Sequence, residues 1–158
     1  MINVQRGSNE KLYGSADVFT RFIDRIERVQ RRFTKKLRGL SDLPYLRRLE
    51  LLSIESLELR RIRADLLFLF KMIHGLVDID ISQFFAFSVS TTRGHNFKID
   101  VQYCRLNCRK YFFINRTVPI WNSLPSSVVD ADSVAIFRKT LLVVDLSSHC
   151  RGRAYTES

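Results

Sequence analysis

The chain of 158 residues has 26 Lys and Arg against 16 Asp and Glu, which gives a formal net charge of +10. Hydrophobic residues make up 46% of it and there are only 6 Gly and 3 Pro, which excludes a collagen-like or disordered chain and favours a packed fold. Three Cys are too few for a disulfide scaffold and fit a reducing compartment.

Targeting and membrane signals are absent from the sequence. The first residues have no signal-peptide pattern, and the longest uncharged apolar run, Leu66 to Phe70, is too short to span a bilayer. We therefore expect an intracellular protein of the nucleus or cytoplasm, neither secreted nor bound to a membrane. The pattern predicts a flexible leader over residues 1–15, a single basic helical domain over residues 16–145 and a flexible tail over residues 146–158.

The first predicted helix runs from Asp17 to Arg38 and ends at Gly39. Its apolar residues recur at steps of three and four and so form one stripe, which consists of Phe19, Phe22, Ile26, Val29, Phe33 and Leu37. The opposite arc is basic and consists of Arg21, Arg25, Arg28, Arg31, Arg32, Lys35 and Lys36. We expect the stripe to pack on the core and the basic arc to face solvent.

A short second helix is predicted from Tyr45 to Leu51, with Asp42 as its cap and Pro44 in its first turn. A longer helix from Ile54 to His74 is predicted to follow Ser53. It stops at Gly75, and Leu66 to Phe70 are apolar on nearly every side, so this stretch should form the centre of the core. The predicted core or docking residues are Phe33, Leu66, Leu69, Phe70, Trp121 and Phe137.

Beyond Gly75 a short helical turn is predicted from Ile81 to Phe87. Apolar and polar residues then alternate from Phe97 to Tyr103, which indicates a strand, and Tyr111 to Arg116 is a second strand candidate across a turn at Leu106 to Arg109. A helical turn around Trp121 follows. Asp132 or Ser133 is predicted to cap a last helix through Val134, Phe137, Leu141 and Leu142. The predicted fold is thus mainly α with a small β-hairpin, an α+β helical domain.

The positive charge is clustered rather than spread. Residues 21–50 carry ten basic and four acidic side chains, and residues 93–116 carry six and one. Clustered cations favour polyanions such as RNA, DNA or anionic lipid, although a basic run is also typical of a solvated helix face.

Catalytic motifs are absent: the sequence has no GxxxxGK[ST] loop, no HExxH, no GxSxG and no CxxC. One conceivable zinc set consists of Cys104, Cys108, His149 and Cys150. Because its last two members are adjacent, they cannot easily chelate one tetrahedral ion, and core or surface thiols are the better interpretation. Asp78 and Asp80 are interpreted as an exposed loop or cap feature. We predict no catalytic residue, no metal or other cofactor and no small-molecule substrate.

Two histidines and an aromatic segment have alternative interpretations. His74 is predicted to cap the helix that stops at Gly75. His95, in a basic turn, is a candidate phosphate contact or a plain loop residue. Trp121, with the nearby aromatic residues, either stacks on bases or fills a corner of the core, and the core is favoured.

Several short motifs, in order, resemble one family. They are IERVQRRFTK at residues 26–35, YLRRL at 45–49, LELRR at 57–61, TRGH at 92–95, FFINR at 112–116 and WNSLP at 121–125. Over residues 23–142 this set resembles the C-terminal tail of non-LTR retrotransposon (LINE-type, jockey or chicken-repeat-like) polyproteins. In such polyproteins the tail follows the reverse transcriptase, whose [YF]xDD carboxylates this chain lacks.

The resemblance implies a fragment or remnant of an RNA-directed DNA polymerase polyprotein, without the upstream polymerase and without enzymatic activity of its own. Its expected role is an accessory module that binds RNA or DNA. The candidate contacts are Arg25, Arg28, Arg31, Arg32, Lys35, Lys36, Arg93, His95, Lys98, Arg105, Arg109, Lys110 and Arg116. The alternatives are a structural segment that docks on the missing polymerase and a host-encoded basic nucleic-acid-binding protein, for which no helix-turn-helix spacing is evident.

Overall fold

The computed structural model describes residues 15–88, 94–100 and 112–152, with side chains from residue 20 onward. Six α-helices occupy these ranges: α1 (Ser15–Lys35), α2 (Tyr45–Leu51), α3 (Leu57–Ile73), α4 (Phe113–Ser123), α5 (Ser126–Val129) and α6 (Val134–Val143). Two short 3₁₀ turns lie at Ile81–Gln83 and Ser147–His149. The prediction of a mainly helical fold is confirmed for this part of the chain.

The predicted β-hairpin is not found in the described ranges. Its second strand, Tyr111 to Arg116, is wrong because α4 begins at Phe113. Its turn at Leu106 to Arg109 lies outside the described residues. The first strand is represented by one isolated antiparallel bridge between Phe87 and Ile99. Of the aromatic residues that suggested a strand, Tyr111 lies outside the described residues, Phe112 is the N-cap of α4 and Phe113 is its first residue. One face of α4 packs against α3, and such packing overrides local strand propensity.

The core surrounds α3, which packs against α1, α4 and α6. Leu66 and Leu69 are fully buried, and the Phe70 ring stacks on Phe137 with 4.3 Å between ring centroids. Trp121 is also fully buried, and its indole Nε1 donates a hydrogen bond to the Phe97 carbonyl at 2.8 Å. These predicted core residues therefore lie together around the middle of α3.

The helix caps correct two details of the sequence analysis. The cap of α3 is Ser56, whose hydroxyl accepts from the Leu59 N–H at 3.1 Å, whereas Ser53 lies in the preceding turn with φ of +52°. No side chain caps α2, so the prediction for Asp42 is wrong. Ser133 caps α6, as one of the two predicted alternatives, by accepting from Ile136 N–H at 3.2 Å.

The packed face of α1 is not the predicted one. Its buried residues are Ile23, Glu27, Gln30 and Thr34. The apolar stripe lies in solvent instead, because Phe22, Ile26, Val29 and Phe33 are each between 56% and 68% exposed. At about 100° per residue, the two sets are centred about 90° apart around the helix. The expectation that the stripe packs on the core, Phe33 included, is therefore wrong by a quarter turn.

Candidate nucleic-acid interface

The buried carboxylate of Glu27 holds α1 in this orientation. Its oxygens accept hydrogen bonds from the backbone N–H of Leu57 at 3.0 and 3.2 Å and of Glu58 at 3.3 Å, in the first turn of α3, and from the Tyr45 hydroxyl. The first N–H groups of a helix have no partner within the helix, and its dipole is positive there, so a carboxylate is favoured. The apolar stripe offers no such acceptor, which explains why the Glu27 face is packed.

A second anchor holds the C-terminal end of α1. The Arg48 guanidinium of α2 is buried and donates to the Thr34 hydroxyl at 3.1 Å, to the Leu43 carbonyl at 2.7 Å and to the Arg31 carbonyl at 3.4 Å. A cation at this end of α1 is favoured by the negative end of the helix dipole. Because both ends of the packed face are held by polar contacts, the opposite face of α1 is fixed in solvent.

That opposite face is basic, as the sequence analysis expected. Its exposed members are Arg21, Arg25, Arg28, Arg32, Lys35 and Lys36. We call this set the basic face of α1. From Arg21 to Lys35 it extends about 21 Å, at 1.5 Å per residue, which corresponds to about six phosphates of one duplex strand. A surface of this length can contact several phosphates at once.

Arg31 departs from the basic face. It is half-buried, and its guanidinium lies over the Tyr45 ring, 4.9 Å from the ring centroid. Arg21, Arg25 and Arg28, together with Arg31 and Asp24, line an open groove of about 470 Å³ along α1. Arg31 therefore borders the basic face from the side of α2 rather than standing in its centre.

The second basic segment contributes less than predicted. Arg93, Arg105, Arg109 and Lys110 lie outside the described residues. Lys98 is half-buried, and its backbone carbonyl accepts from Ser88 N–H at 2.8 Å. Arg116 is bound by Asp65 of α3, with Nε and Nη2 donating to the carboxylate at 2.8 and 3.0 Å. A structural ion pair between α4 and α3 thus occupies a side chain that was expected to contact nucleic acid.

His95 is a core residue rather than a phosphate contact. Its side chain is 4% exposed, its Nε2 lies 3.1 Å from the Trp121 carbonyl, and its ring stands edge-on to the Trp121 indole. Burial lowers the pKa of His95 below its ordinary value of 6.5. The interpretation of His95 as a phosphate contact is wrong because its ring is buried against Trp121 of α4 and is not accessible to a phosphate.

Protonation of His95 should therefore destabilise the fold. The unfolded chain takes up this proton near pH 6.5 and the folded chain only at lower pH, so stability should fall as the pH drops below about 6.5. We expect the melting temperature to decrease between pH 7 and pH 5, and the part due to His95 to vanish in His95→Gln. An identical decrease in both proteins, measured by thermal melting, would exclude this role.

The remaining sequence candidates have structural roles. Trp121 is buried and cannot stack on a base, which agrees with the favoured core interpretation. His74 caps α3 before Gly75, whose φ is +64°, and its ring packs on Phe70 with 4.1 Å between centroids. Asp80 is exposed and caps the 3₁₀ turn by accepting from Ser82 N–H at 3.1 Å.

The described ranges contain no cluster of metal ligands and no helix that could cross a bilayer. No group of three or more His, Cys, Asp or Glu side chains there could hold a metal ion. Cys104 and Cys108 lie outside those ranges, and Cys150 is buried with its thiol 3.9 Å from the Leu146 carbonyl. None of the described helices combines the length and apolarity that a bilayer crossing requires.

Sequence reasoning missed the groups that position α1. The sequence analysis gave Glu27 and Arg48 no role of their own, although both are buried. Their partners are the N-terminus of α3 and the C-terminal end of α1, which no local pattern connects to them. Only the spacing of Ile23, Glu27 and Gln30 at steps of four and three hints that they share one face.

Comparisons with models of protein families, with curated proteins and with solved structures gave no match to the chain.

Proposed function

We propose that this chain is a nucleic-acid-binding module whose basic face on α1 contacts the phosphates of RNA or DNA. The observation that carries the proposal is that five basic side chains of α1, and Lys36 directly after it, stand exposed on the face opposite its packed side. Clustered cations gain affinity for a polyanion by releasing its counterions. In this proposal the module binds without chemistry of its own.

The resemblance to the tail of non-LTR retrotransposon polyproteins gives this binding a context. We propose that the chain is a fragment or remnant of such an RNA-directed DNA polymerase polyprotein. In that context it would bind template RNA or target DNA beside the polymerase. The proposed site residues are the exposed Arg25, Arg28, Arg32, Lys35 and Lys36, with Arg31 at the border.

A second candidate function is docking on a partner, and one observation favours it. The stripe of Phe22, Ile26, Val29 and Phe33 is exposed, and large apolar side chains in a row on a helix are typical of an interface. The stripe and the basic face lie side by side on α1, so the two functions are compatible on one helix.

Charge reversal separates the two functions. The triple variant Arg28→Glu, Arg32→Glu, Lys35→Glu should lose at least about tenfold in affinity for single-stranded RNA and duplex DNA, because phosphate attraction becomes repulsion. The matched control reverses the exposed Arg60, Arg138 and Lys139, with the same change in net charge. Circular dichroism verifies that both variants stay helical.

Filter binding or fluorescence anisotropy at fixed salt provides the readout. Weakened binding in the α1 variant alone supports the proposal. Equal weakening in both variants would mean that only net charge matters, and unchanged binding in both would leave docking as the function of α1.

A further inference from the structure

The exposed apolar stripe of α1 has the spacing of a coiled-coil seam. Phe22, Ile26, Val29 and Phe33 follow one another at steps of four, three and four residues, and each is between 56% and 68% exposed. At about 100° per residue, these four positions lie within an arc of about 60° around the helix. A helix that packs on a globular core usually has an apolar face at least about 100° wide, whereas the narrower stripe is typical of the a and d positions of a coiled coil.

Two exposed arginines border this stripe on the side of the basic face. In the heptad abcdefg that places Ile26 and Phe33 at a, the successive g positions are Arg25 and Arg32. Both side chains are exposed. In a two-stranded coiled coil the g residues form ion pairs with e or g residues of the other helix, and these pairs select the partner. A complementary helix should therefore carry Asp or Glu at the positions that face the two arginines.

The other side of the stripe is occupied by the domain itself. The e positions are Ile23 and Gln30, which are both buried, and the Gln30 side chain donates to the Glu55 carbonyl at 2.8 Å. The side with the arginines is therefore the one on which charged residues of a partner would pair. Because Glu27 and Arg48 already hold α1 in place, binding would cost α1 little conformational entropy.

Charge disfavours a second copy of this chain on the stripe. In an antiparallel pair of α1 helices each g position faces a g position, so Arg25 and Arg32 would face the same two residues of the other copy. In a parallel pair they would face the e positions, Ile23 and Gln30, which are buried and not acidic. Like charges that face each other across an interface are unfavourable, which favours an acidic partner over a second copy.

We propose that the apolar stripe of α1 binds an amphipathic helix of another protein as a short two-stranded coiled coil, and that this helix carries Asp or Glu opposite Arg25 and Arg32. The proposal rests on the docking function proposed above for the stripe, and it adds the chemistry of the partner. It does not require that the basic face bind nucleic acid.

The probe is a synthetic peptide of about four heptads with Leu at a and d and Glu at both e and g, so that carboxylates face α1 in either orientation. One control peptide has Lys instead of Glu at e and g, and another has Ser instead of Leu at a and d. Fluorescence anisotropy with the full chain should show the acidic peptide bound at least about tenfold more tightly than either control.

Matched charge reversals on α1 show whether the g positions select the partner. Arg25→Glu with Arg32→Glu should weaken binding of the acidic peptide about tenfold and strengthen binding of the lysine peptide, because two attractive pairs become repulsive. Arg28→Glu with Lys35→Glu makes the same change in net charge at c positions, away from the stripe, and should leave binding of the acidic peptide unchanged. All four side chains are exposed, so circular dichroism should show both variants as helical as the wild type.

A variant of the stripe separates this proposal from nucleic-acid binding. Ile26→Gln with Val29→Gln should abolish binding of the acidic peptide and keep the affinity for nucleic acid, because both side chains are exposed and lie off the basic face. If the wild type bound nucleic acid but not the acidic peptide, the docking proposal alone would fail. Equal binding of the acidic and lysine peptides would also overturn it.

Two further measurements test other occupants of the stripe. Analytical ultracentrifugation should show a monomer, and a dimer that Ile26→Gln with Val29→Gln abolishes would assign the stripe to a second copy and overturn the proposal. Vesicles of phosphatidylcholine and phosphatidylserine should bind the wild type and this variant equally. Vesicle binding that the variant abolishes would assign the stripe to a membrane surface and would likewise overturn the proposal.

Discussion

Leu66→Asp is expected to abolish the folded state. Leu66 is completely buried at the centre of α3, where the described helices pack together. Burial of a leucine side chain contributes about 1.5–3 kcal/mol, and an unpaired carboxylate in its place adds a desolvation cost of several kcal/mol. Domains are stable by only about 5–15 kcal/mol, so the combined loss approaches or exceeds the total. Far-ultraviolet circular dichroism and thermal melting measure the result.

Leu142→Asp is the matched control for this substitution. Leu142 also lies on a helix, α6, but is 59% exposed, and the same change there should cost less than about 1 kcal/mol. If Leu66→Asp melted cooperatively at the temperature of the control, the assignment of Leu66 to the core centre would be wrong.

Glu27→Ala should have the second largest effect. The substitution leaves the Leu57 and Glu58 N–H groups and the Tyr45 hydroxyl without their acceptor, in a site where Glu27 itself is 3% exposed. A buried donor left without its acceptor costs about 1–3 kcal/mol, so three of them together should cost about 3–5 kcal/mol. We expect the free energy of unfolding in urea to fall by this amount and hydrogen exchange in α1 to become faster.

Two further variants show whether the capping contact is responsible. Glu27→Gln retains an acceptor oxygen but loses the charge, so its cost should be intermediate, about 1–2 kcal/mol. Glu50→Ala removes an exposed carboxylate that pairs with Arg47 at 2.7 Å, and such surface pairs contribute less than about 1 kcal/mol. Similar losses for all three variants would show that Glu27 has no special contact with α3.

The helices that could be predicted are those marked by residues within or next to the helix itself, such as helix formers, capping residues and a terminal glycine. The run of helix formers before Gly75 gave α3 to within a few residues, and Ser133 marked the start of α6. The start of α4 was missed because Tyr111 to Arg116 has the composition of a strand, whereas Phe113 to Arg116 form the first turn of a helix that packs against α3. Local patterns do not contain that contact.

The orientation of α1 could not be predicted for a similar reason. The apolar stripe satisfied the rule for a packed face, whereas the actual packed face contains Glu27, Gln30 and Thr34. Glu27 is stabilised by N–H groups 30 and 31 residues further along the chain. The hydrogen bonds of Glu27 to the N-terminus of α3 go with a packed face that leaves the apolar stripe in solvent. A contact between residues so far apart in the chain cannot be read from the sequence.

The candidate site was predicted in part. Helical periodicity places the basic residues of α1 on one side of the helix, and the structure shows that side exposed for all predicted residues except the half-buried Arg31. The clustering of basic residues along the chain did not show that Arg116 pairs with Asp65 or that His95 is buried against Trp121. Charge patterns locate cations along the chain, but packing between helices decides which of them reach solvent.

The salt dependence of nucleic-acid binding tests the central claim most directly. For the wild-type chain, the logarithm of the affinity for duplex DNA should fall with the logarithm of the salt concentration with a slope of about −4 to −5, as expected for about four to six phosphate contacts. In the Arg28, Arg32, Lys35 charge-reversal variant the slope should be shallower by about 3. A wild-type slope near zero, or the same slope in both proteins, would contradict phosphate binding by the basic face of α1.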